Sequence, residues 1–299
     1  MMNSGLLLID KPEGPSSAHV VHRAKVFLGA KKVGHLGTLD PFASGLLLLG
    51  INEGTKLSDI FLRAPKSYRG VITLGVDTDS QDSTGLVVKT RPVPPLADGE
   101  LRALEQRFSG ELQQIPPMFS ALKKDGMRLY KLARQGKEVP RQPRSIRIDS
   151  IRLQKINSAE IAMDVTCSRG TYVRTLAADL GQALGCGAYL KSLRRLACGH
   201  LTIEQAMSLE ELERFAARGA GALLSLGNAL SHLRAIVWQH RWVARLRLGQ
   251  QELLSEIGKP VEKEEAVRIV DPRGDLVALI RWNEEIPGGG WRLLRIFKE

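Results

Sequence analysis

One aspartate in the sequence lies in a short loop whose residue types constrain the backbone. Asp40 belongs to the stretch GHLGTLDPFASGLL (34–47), where it directly precedes Pro41 and has His35 and Thr38 as polar neighbours. An aspartate before proline commonly hydrogen-bonds to its own turn, which is the simplest interpretation. Gly34 and Gly37, however, allow close approach of the backbone, and the apolar run behind the loop predicts a rigid strand. We therefore expect a functional carboxylate at the edge of a core, although the spacing does not identify its chemistry.

The stretch RGTYVR (169–174) offers an ionic partner for this carboxylate. Arg169 and Arg174 flank Tyr172 at the point where a predicted strand gives way to a helix. An arginine close to Asp40 would keep the carboxylate ionised and lower its pKa, as a nucleophile requires. The alternative is a surface charge for each arginine and a core ring for the tyrosine.

The segment from 123 to 147 concentrates positive charge. It contains nine lysines and arginines against Asp125 and Glu138, and Tyr130 lies among them. So many like charges repel one another unless an anion lies across them. A solvated helix face is the alternative, but we expect contact with a phosphate backbone. The nine residues are Lys123, Lys124, Arg128, Lys131, Arg134, Lys137, Arg141, Arg144 and Arg147.

The overall charge supports the same expectation. The 299 residues include 43 Lys and Arg against 32 Asp and Glu, which gives a formal net charge of +11. Such an excess favours a polyanionic partner such as nucleic acid. The apolar runs fall short of the ~20 residues of a membrane span, and the N-terminus lacks the pattern of a signal peptide. We therefore expect a cytoplasmic protein with no membrane association.

Other catalytic schemes have little support in the sequence. It contains no GxSxG, Walker, HExxH or GxGxxG motif and no paired-carboxylate signal. The three cysteines, Cys167, Cys186 and Cys198, form no CxxC pair, so we expect reduced thiols and no metal site. A Cys–His hydrolase built from Cys167 and His200 is the remaining alternative.

Hydrophobic periodicity predicts the elements that position these residues. Buried strands are expected at 5–12, 46–51 and 67–76, and a helix capped by Ser16 or Ser17 should run to about Ala30. A second basic group, Lys191, Arg194 and Arg195, follows the helix that begins after RGTYVR. The other predicted elements are a polar loop at 77–85, helices at 100–108, 129–137 and 208–219, and two paired strands between 145 and 167.

The character of the sequence changes near residue 232. Beyond it, EAVRIVDPRGDLVALIRW predicts two short strands around an Asp-Pro-Arg-Gly turn, and WRLLRIF predicts a closing strand. We therefore expect a mixed α/β catalytic domain over 1–232 and a small β module over 233–299.

These motifs closely resemble the TruB family of bacterial tRNA pseudouridine synthases, which isomerise the T-loop uridine at tRNA position 55. The resemblance covers nearly the whole chain and follows the order of motifs in the family. It rests on GLLLIDKPEGPSSAHVV, KVGHLGTLDPFASGLL, KSYRGVITLGVDTDSQDSTG, QIPPMFSALKKDGMRLYKLARQG, RGTYVRTLAADLG and YLKSLRRLACG.

The resemblance implies an α+β fold with a mixed, mainly antiparallel pseudouridine-synthase sheet and flanking helices. A thumb-like insertion at about 110–145 would grip the T-arm of tRNA, and 233–299 would form a PUA-like RNA-binding domain. The protein would act as a monomer on tRNA. It would need no cofactor or metal, because substrate and product are isomers.

The resemblance also implies the roles of three catalytic residues. Asp40 would be the nucleophile, and Arg174 would form the ion pair that holds it. Tyr68 would stack on the target uracil and could be the base that removes the C5 proton. A phenol that titrates near ~10 would need an activating environment for that second role.

Further residues would contact the substrate by the same resemblance. Tyr172 and Leu193 would line the uracil pocket, and His35 would stack in the place that the flipped uridine leaves. Lys11 and Asp82 match family positions near the active site, the first with a more structural role and the second behind the residues that touch substrate. The RNA backbone would contact Lys123, Lys124, Arg128, Lys131 and Arg134.

Two other functions are compatible with these features. A guide-RNA-dependent pseudouridine synthase shares the GTLDP core, although the DGMRLYKLARQG stretch and the absence of lysine-rich tails argue against it. A non-catalytic chaperone that opens and refolds tRNA would use the same basic surfaces. Activity on free tRNA without guide RNA would separate these functions.

Overall fold

The computed structural model of the protein describes residues 4–217, 223–260, 266–286 and 288–298. The strands of these residues, in chain order, are β1 (Gly5–Lys11), β2 (Val33–His35), β3 (Ser44–Ile51), β4 (Lys66–Leu74), β5 (Val76–Thr78), β6 (Val87–Thr90), β7 (Gly110–Gln114), β8 (Lys123–Lys124), β9 (Met127–Arg128), β10 (Arg144–Lys155), β11 (Glu160–Cys167), β12 (Ala188–Cys198), β13 (Leu201–Thr202), β14 (Ala235–Val237), β15 (Ala266–Val270), β16 (Leu276–Asn283) and β17 (Gly290–Ile296). The α-helices are α1 (Ser17–Leu28), α2 (Ser58–Arg63), α3 (Asp98–Arg107), α4 (Leu129–Ala133), α5 (Val173–Ala183), α6 (Leu209–Ala217), α7 (Leu226–Ala229) and α8 (His240–Arg247).

A large, mainly antiparallel sheet forms the body of the protein. Its main path is β1-β3-β12-β4-β11-β10-β7, while β13 pairs with β12 and β2 pairs with β3. β12 and β3 run parallel to each other, and the other neighbours in the path run antiparallel. The predicted α+β fold class with flanking helices is confirmed.

Two neighbouring strands are buried on both faces, which explains their continuous apolar sequences. In β1, Leu7 and Ile9 belong to the core beneath the helices, whereas Leu6 and Leu8 belong to a second core on the other face. Successive side chains of a strand point to opposite faces, so both sets must be apolar. The same alternation continues along β3.

Strand β12 crosses the middle of the sheet and is not among the predicted elements. Its basic residues hide the pattern of a buried strand, because charged side chains are depleted in sheet cores. Lys191 forms an ion pair with Glu160, and Arg194 forms one with Asp10. Arg195, in contrast, is 3% exposed. The second basic group therefore finds its partners within the protein.

The other predicted elements are present with small shifts of their ends. Ser16 caps α1 by accepting a hydrogen bond from the His19 N–H, and Ser208 opens α6 with the predicted capping box to Glu211. The last two residues predicted for that helix, 218 and 219, lie outside the described residues. The helix predicted at 129–137 ends earlier, as α4, and a glycine with a φ of 70° follows at Gly136.

A basic excursion leaves the edge of the large sheet. β7 and β10 pair antiparallel, with Gln114 opposite Arg144, so residues 115–143 project from the end of this hairpin. They contain the small β8–β9 ladder and α4. This segment, called the insertion below, carries most of the basic residues that the sequence singled out.

The C-terminal strands form a separate four-stranded sheet in the order β14-β15-β16-β17. The two strands predicted around the Asp-Pro-Arg-Gly turn are β15 and β16, and the closing strand is β17. Leu276, Leu279 and Phe297 pack into the same core as Leu6 and Leu8 of the large sheet. Among the residues that the structure describes, no helix is long and apolar enough to cross a membrane.

Candidate active site

Two buried polar side chains fix the loop that carries Asp40. The Ser17 hydroxyl accepts a hydrogen bond from the Leu39 N–H at 2.9 Å and donates one to the Leu39 carbonyl at 2.7 Å. The Lys11 ammonium donates to the carbonyls of Pro12, Pro15 and Pro41 at 2.7, 3.0 and 3.3 Å. Lys11 has no exposed surface, and burial lowers its pKa to about 8. Its environment is that of a residue that positions the loop and not of one that contacts a substrate.

A buried guanidinium holds the same loop from the side of β12. Arg195 donates from Nε to the Leu46 carbonyl at 2.6 Å, and from its two terminal nitrogens to the carbonyls of Thr38 and Gly37 at 3.2 and 3.1 Å. These contacts use the planar fork of arginine donors. Sequence reasoning noted Arg195 only as part of a basic group, because its partners lie far away along the chain.

The close backbone approach expected of this region occurs at Gly45 and not at Gly34 or Gly37. Gly45 has a φ of 102°, and a Cβ atom there would lie 2.3 Å from the carbonyl oxygen of Arg195. The two residues are register partners in the parallel β3–β12 pair. Only glycine allows this backbone conformation and this contact at low cost, so the FASGLL part of the motif brings Arg195 next to the loop.

Asp40 and Asp82 share one buried arginine. The Arg174 Nη2 lies 3.1 Å from Asp40 Oδ2 and donates to the Phe119 carbonyl at 2.7 Å. Its Nη1 lies 3.4 Å from Asp82 Oδ2 and from the Ser80 carbonyl. The structure thus joins Asp40 and Arg174, as expected from the sequence for an ionic partner, and adds Asp82 as a second carboxylate.

The pKa of Asp40 is raised above its ordinary range. Withdrawal of the carboxyl group from water is the main cause; Arg174 opposes it, and the nearby charge of Asp82 adds to it. The expectation that an arginine would lower this pKa is therefore wrong for the net shift, which is upward. The arginine acts in the expected direction, but desolvation of the carboxyl group outweighs it.

Asp82 organises the turn that lies beside the ion pair. Its Oδ1 accepts hydrogen bonds from the Ser80 hydroxyl at 2.7 Å, from the Thr84 N–H at 3.0 Å and from the Thr84 hydroxyl at 2.6 Å. The residue is 3% exposed. One carboxylate oxygen therefore holds the turn while the other faces Arg174, which leaves Asp82 little capacity to react.

Tyr68 and Leu193 come from adjacent strands of the large sheet. Tyr68 lies on β4 opposite Arg195, two residues from Gly70, which is opposite Leu193. Burial raises the pKa of the Tyr68 phenol to about 12, and the neighbouring Arg195 only partly opposes this rise. The activating environment that a tyrosine base would need is therefore not present in the unbound protein.

Tyr172 is fixed at the N-terminus of α5 by a residue from the base of the insertion. The Gln114 side chain accepts a hydrogen bond from the Tyr172 N–H at 2.9 Å and donates one to the Tyr172 carbonyl at 3.2 Å. Burial raises the pKa of the Tyr172 phenol. Gln114 is 3% exposed, and no sequence pattern pointed to this function.

These side chains surround one pocket with a volume of about 890 Å³. That size suits a ligand such as a nucleotide. The predicted site residues that line it are Asp40, Tyr68, Asp82, Tyr172, Arg174, Leu193 and, from the insertion, Arg134. Within the described part of the chain, no group of three or more His, Cys, Asp or Glu side chains is placed to hold a metal ion.

The other predicted site residues lie outside the lining of the pocket. His35 is exposed at the end of β2, and Lys11 lies buried behind the loop. On the insertion, Lys123, Arg128 and Lys131 are exposed, and Lys124 is half-buried with a 3.4 Å contact to the Pro140 carbonyl. Lys123 and Arg128 are directly opposite each other in the β8–β9 ladder.

A Cys–His hydrolase receives no support from this geometry. Burial raises the pKa of the Cys167 thiol to about 11, which opposes formation of a thiolate nucleophile. His200 stacks instead against His232, with 4.1 Å between the ring centroids.

Comparison with known proteins identifies the class of protein to which this sheet and this pocket belong. Residues 25–173 match the model of the TruB family pseudouridylate synthase N-terminal domain, and residues 174–237 match that of the tRNA pseudouridylate synthase B C-terminal domain. The class is therefore that of the pseudouridine synthases.

Full-length relatives narrow this class to one family. The chain is 41% identical to a tRNA pseudouridine synthase B of Geotalea uraniireducens, over 98% of this chain and 96% of that protein. It is 46% identical to the protein of the same name from Geobacter sulfurreducens, over 82% of this chain and 81% of that one. The chain belongs to the TruB family of tRNA pseudouridine synthases.

Solved structures share the fold at low sequence identity. The chain is similar to one in a crystal structure of a Cbf5-Nop10-Gar1 complex, with a TM-score of 0.69 and 24% identity over 93% of this chain and 78% of that one. A structure of an H/ACA RNP bound to a substrate RNA containing 2′-deoxyuridine gives a TM-score of 0.71 and 21% identity, over 99% of this chain and 85% of that one. At this identity the likeness concerns the fold alone.

Proposed function

We propose that this protein converts the T-loop uridine at position 55 of tRNA to pseudouridine, with Asp40 as the nucleophile and without guide RNA or cofactor. The observation that carries the assignment of Asp40 is its position. It forms an ion pair with Arg174 at 3.1 Å while 39% of its side-chain surface remains exposed. Asp82 shares the same arginine, but its side chain is only 5% exposed and its Oδ1 is fully engaged in the turn.

The isomerisation of uridine requires one carboxylate and a ribose that the enzyme holds in place. The N1–C1′ bond of the uridine breaks, the uracil rotates, and a C5–C1′ bond forms; the C5 proton is lost and N1 ends protonated. Asp40 assists the cleavage, either by attack on the ribose or by assisting the formation of a glycal. Arg174 stabilises the ionised carboxylate against the desolvation that raises its pKa. Because the reaction is an isomerisation, its atoms balance without an external oxidant or reductant.

The target must leave its stack to reach Asp40. Flipping a nucleotide costs about a few kcal/mol, which stacking and polar contacts in the pocket offset. Tyr68 and Leu193 are placed on adjacent strands to contact the flipped uracil, with Tyr172 on the pocket wall. The exposed His35 is available to fill the place that the base leaves.

The exposed cations of the insertion suit the T-arm backbone. Lys123 and Arg128 lie directly opposite each other, an arrangement that is destabilising unless an anion compensates it. Arg134 reaches the pocket wall and stacks over Tyr130, with 5.6 Å between its guanidinium carbon and the ring centroid. We assign Lys124 and Lys131 to the same phosphate-binding surface.

We further propose that the division of labour follows 1–232 and 233–299. The first part would carry the chemistry, and the second would be a PUA-like module that binds tRNA beyond the T-arm. The chain would act as a monomer in the cytoplasm. The basic composition of the chain, with a net charge of +11, suits the binding of tRNA.

Tritium release tests this proposal. The substrate is a T-arm stem-loop transcript labelled at uracil C5, incubated with wild type or Asp40→Asn without guide RNA, nucleotide or metal. We expect release by wild type and a loss of roughly a thousandfold or more in Asp40→Asn, because the nucleophile is gone. Binding of the transcript should be largely retained, since Asn keeps the shape of the side chain.

Each other outcome has a defined meaning. Substantial release by Asp40→Asn would remove Asp40 from the nucleophile role. Release by wild type only after addition of a guide RNA would favour the guide-dependent synthase. Tight binding by both proteins with no release by either would favour the tRNA chaperone.

A further inference from the structure

One wall of the active-site pocket ends in an exposed apolar segment. Leu86 lines the pocket, yet it is 77% exposed, and the next two residues, Val87 and Val88, are 65% and 68% exposed. Adjacent large apolar side chains at the surface commonly mark a site of interaction. Residues 86–88 are called the apolar lip below.

The apolar lip is held by hydrogen bonds of the Leu86 backbone, while its apolar side chains are exposed. The Leu86 N–H donates to Asp79 Oδ1 at 2.9 Å, and the Asp79 N–H donates to the Leu86 carbonyl at 3.0 Å. Asp77, on β5, forms an ion pair at 2.8 Å with Arg91, which directly follows β6. A surface ordered before binding loses little entropy when a ligand covers it.

The same turn connects the apolar lip to the catalytic ion pair. The chain runs from Asp79, which holds Leu86, to Asp82, whose Oδ2 lies 3.4 Å from Arg174. Asp82 also holds Thr84, two residues before Leu86. The hydrogen bonds of this turn and the Arg174–Asp40 ion pair therefore connect the lip to Asp40.

The pocket has a wall of different chemistry as well. Tyr130 and Arg134 of the insertion line it together with Leu86. An unstacked stretch of RNA presents phosphates along its backbone and the apolar faces of its bases elsewhere. The wall formed by Tyr130 and Arg134 suits the phosphates, and the apolar lip suits the faces of the bases.

We propose that the apolar lip is the docking surface for T-loop bases that flank the flipped uridine, with Leu86 as the main contact. The proposal rests on the function proposed above. RNA is the occupant because the lip is continuous with the pocket that would hold the target uridine. Apolar side chains of this kind insert against bases in other nucleic-acid complexes.

Steady-state tritium release from the T-arm stem-loop compares wild type, Leu86→Ala and the matched control Leu62→Ala. Leu62, on α2, is also an exposed leucine, at 45%, but does not line the pocket. We expect KM to rise roughly tenfold in Leu86→Ala, as loss of apolar burial predicts, with kcat within about twofold of wild type. Leu62→Ala should match wild type, and Leu86→Met should restore most of the affinity.

Two further measurements keep the proposal falsifiable. The Tm of Leu86→Ala should equal that of wild type, because the side chain is exposed, so a binding defect does not reflect unfolding. A transcript with 2-aminopurine beside the target should show a smaller fluorescence change on binding to Leu86→Ala than to wild type. A KM within twofold of wild type, or a KM that Leu86→Met fails to restore, would overturn the proposal.

The outcome also separates this inference from the proposed function. If wild type releases no tritium, the proposed function fails. If wild type is active and Leu86→Ala is indistinguishable from it, only the docking surface fails.

Discussion

The loop that carries Asp40 and the insertion both contribute walls to one pocket, but they are built by opposite means. Behind the loop, Lys11, Ser17 and Arg195 are buried, and each donates hydrogen bonds to its backbone or to the residues that flank it. On the insertion, Lys123 and Arg128 face solvent opposite each other. Polar groups are thus satisfied within the protein in one region and left available to a partner in the other.

This difference follows from what each region must do. A reacting carboxylate tolerates errors of only about 1 Å, so its loop requires fixed partners. A surface for phosphates gains affinity from the release of counterions and tolerates movement of long side chains. The structure therefore predicts that buried changes near the loop reduce kcat, whereas changes on the insertion weaken binding.

Arg195→Lys should produce the larger effect. Lysine keeps the charge but loses the fork that reaches the carbonyls of Gly37, Thr38 and Leu46. We expect kcat to fall about a hundredfold, as a displaced catalytic group would cause, while tRNA affinity stays within about threefold. Single-turnover tritium release and filter binding would measure the two effects.

The neighbouring residue supplies the matched control. Arg194 forms its ion pair with Asp10 at a partly exposed position, with 42% of its side chain accessible. Surface ion pairs contribute little, so Arg194→Lys should retain kcat within about twofold. An equal loss in both variants would mean that β12 as a whole, and not the fork of Arg195, determines the loop geometry.

Much of the catalytic loop could be predicted from sequence because its chemistry is local. Asp40, Pro41 and the surrounding glycines lie within a few residues, and the apolar run behind them correctly indicates β3. The periodicity of β1 and α1 was readable for the same reason, and the cap of α1 was narrowed to Ser16 or Ser17, of which the structure uses Ser16. The roles of individual site residues came from resemblance and remain predictions.

The supports of the site could not be predicted in this way. Arg195 and Gly37 are separated by 158 positions and meet only because β12 runs parallel to β3. Gln114 and Tyr172 are 58 positions apart, and their contact depends on the pairing of β7 with β10. A single sequence carries no signal for such pairings. The sign of the Asp40 pKa shift was mispredicted for a similar reason, since burial depends on the finished pocket.

Neutralising two cations of the insertion should give the next largest effect. This effect should concern the binding of tRNA and not the rate of turnover. In the double variant Lys123→Gln/Arg128→Gln, we expect the affinity for tRNA to fall roughly tenfold at moderate salt. The slope of log affinity against log salt should flatten by about 1 for each phosphate that the variant no longer neutralises. Fluorescence titration over a range of salt concentrations would measure both quantities.

A pair of arginines outside the insertion controls for charge alone. Arg102 and Arg107 are exposed on α3, which packs on β10, and neither lines the pocket. Arg102→Gln/Arg107→Gln removes the same charge and should change the salt slope little. Identical slopes for the two double variants would mean that RNA senses only the net charge, and the insertion would lose its assigned role.

The smallest effect concerns pH and tests the buried side of the comparison. Asp40 must be ionised to react, and its pKa is raised by burial, so activity is complete above that raised pKa and falls as pH decreases through it. The acidic limb of the pH–activity profile should therefore lie above the pH expected of an exposed aspartate.

The pKa of Tyr68, at about 12, keeps its phenol protonated throughout the neutral range. We expect kcat, measured by tritium release with saturating transcript, to vary less than twofold between pH 7 and pH 9. A tenfold rise per pH unit in wild type that disappears in Tyr68→Phe would show instead that ionised Tyr68 is the base, and that bound RNA overcomes the desolvation of the phenol.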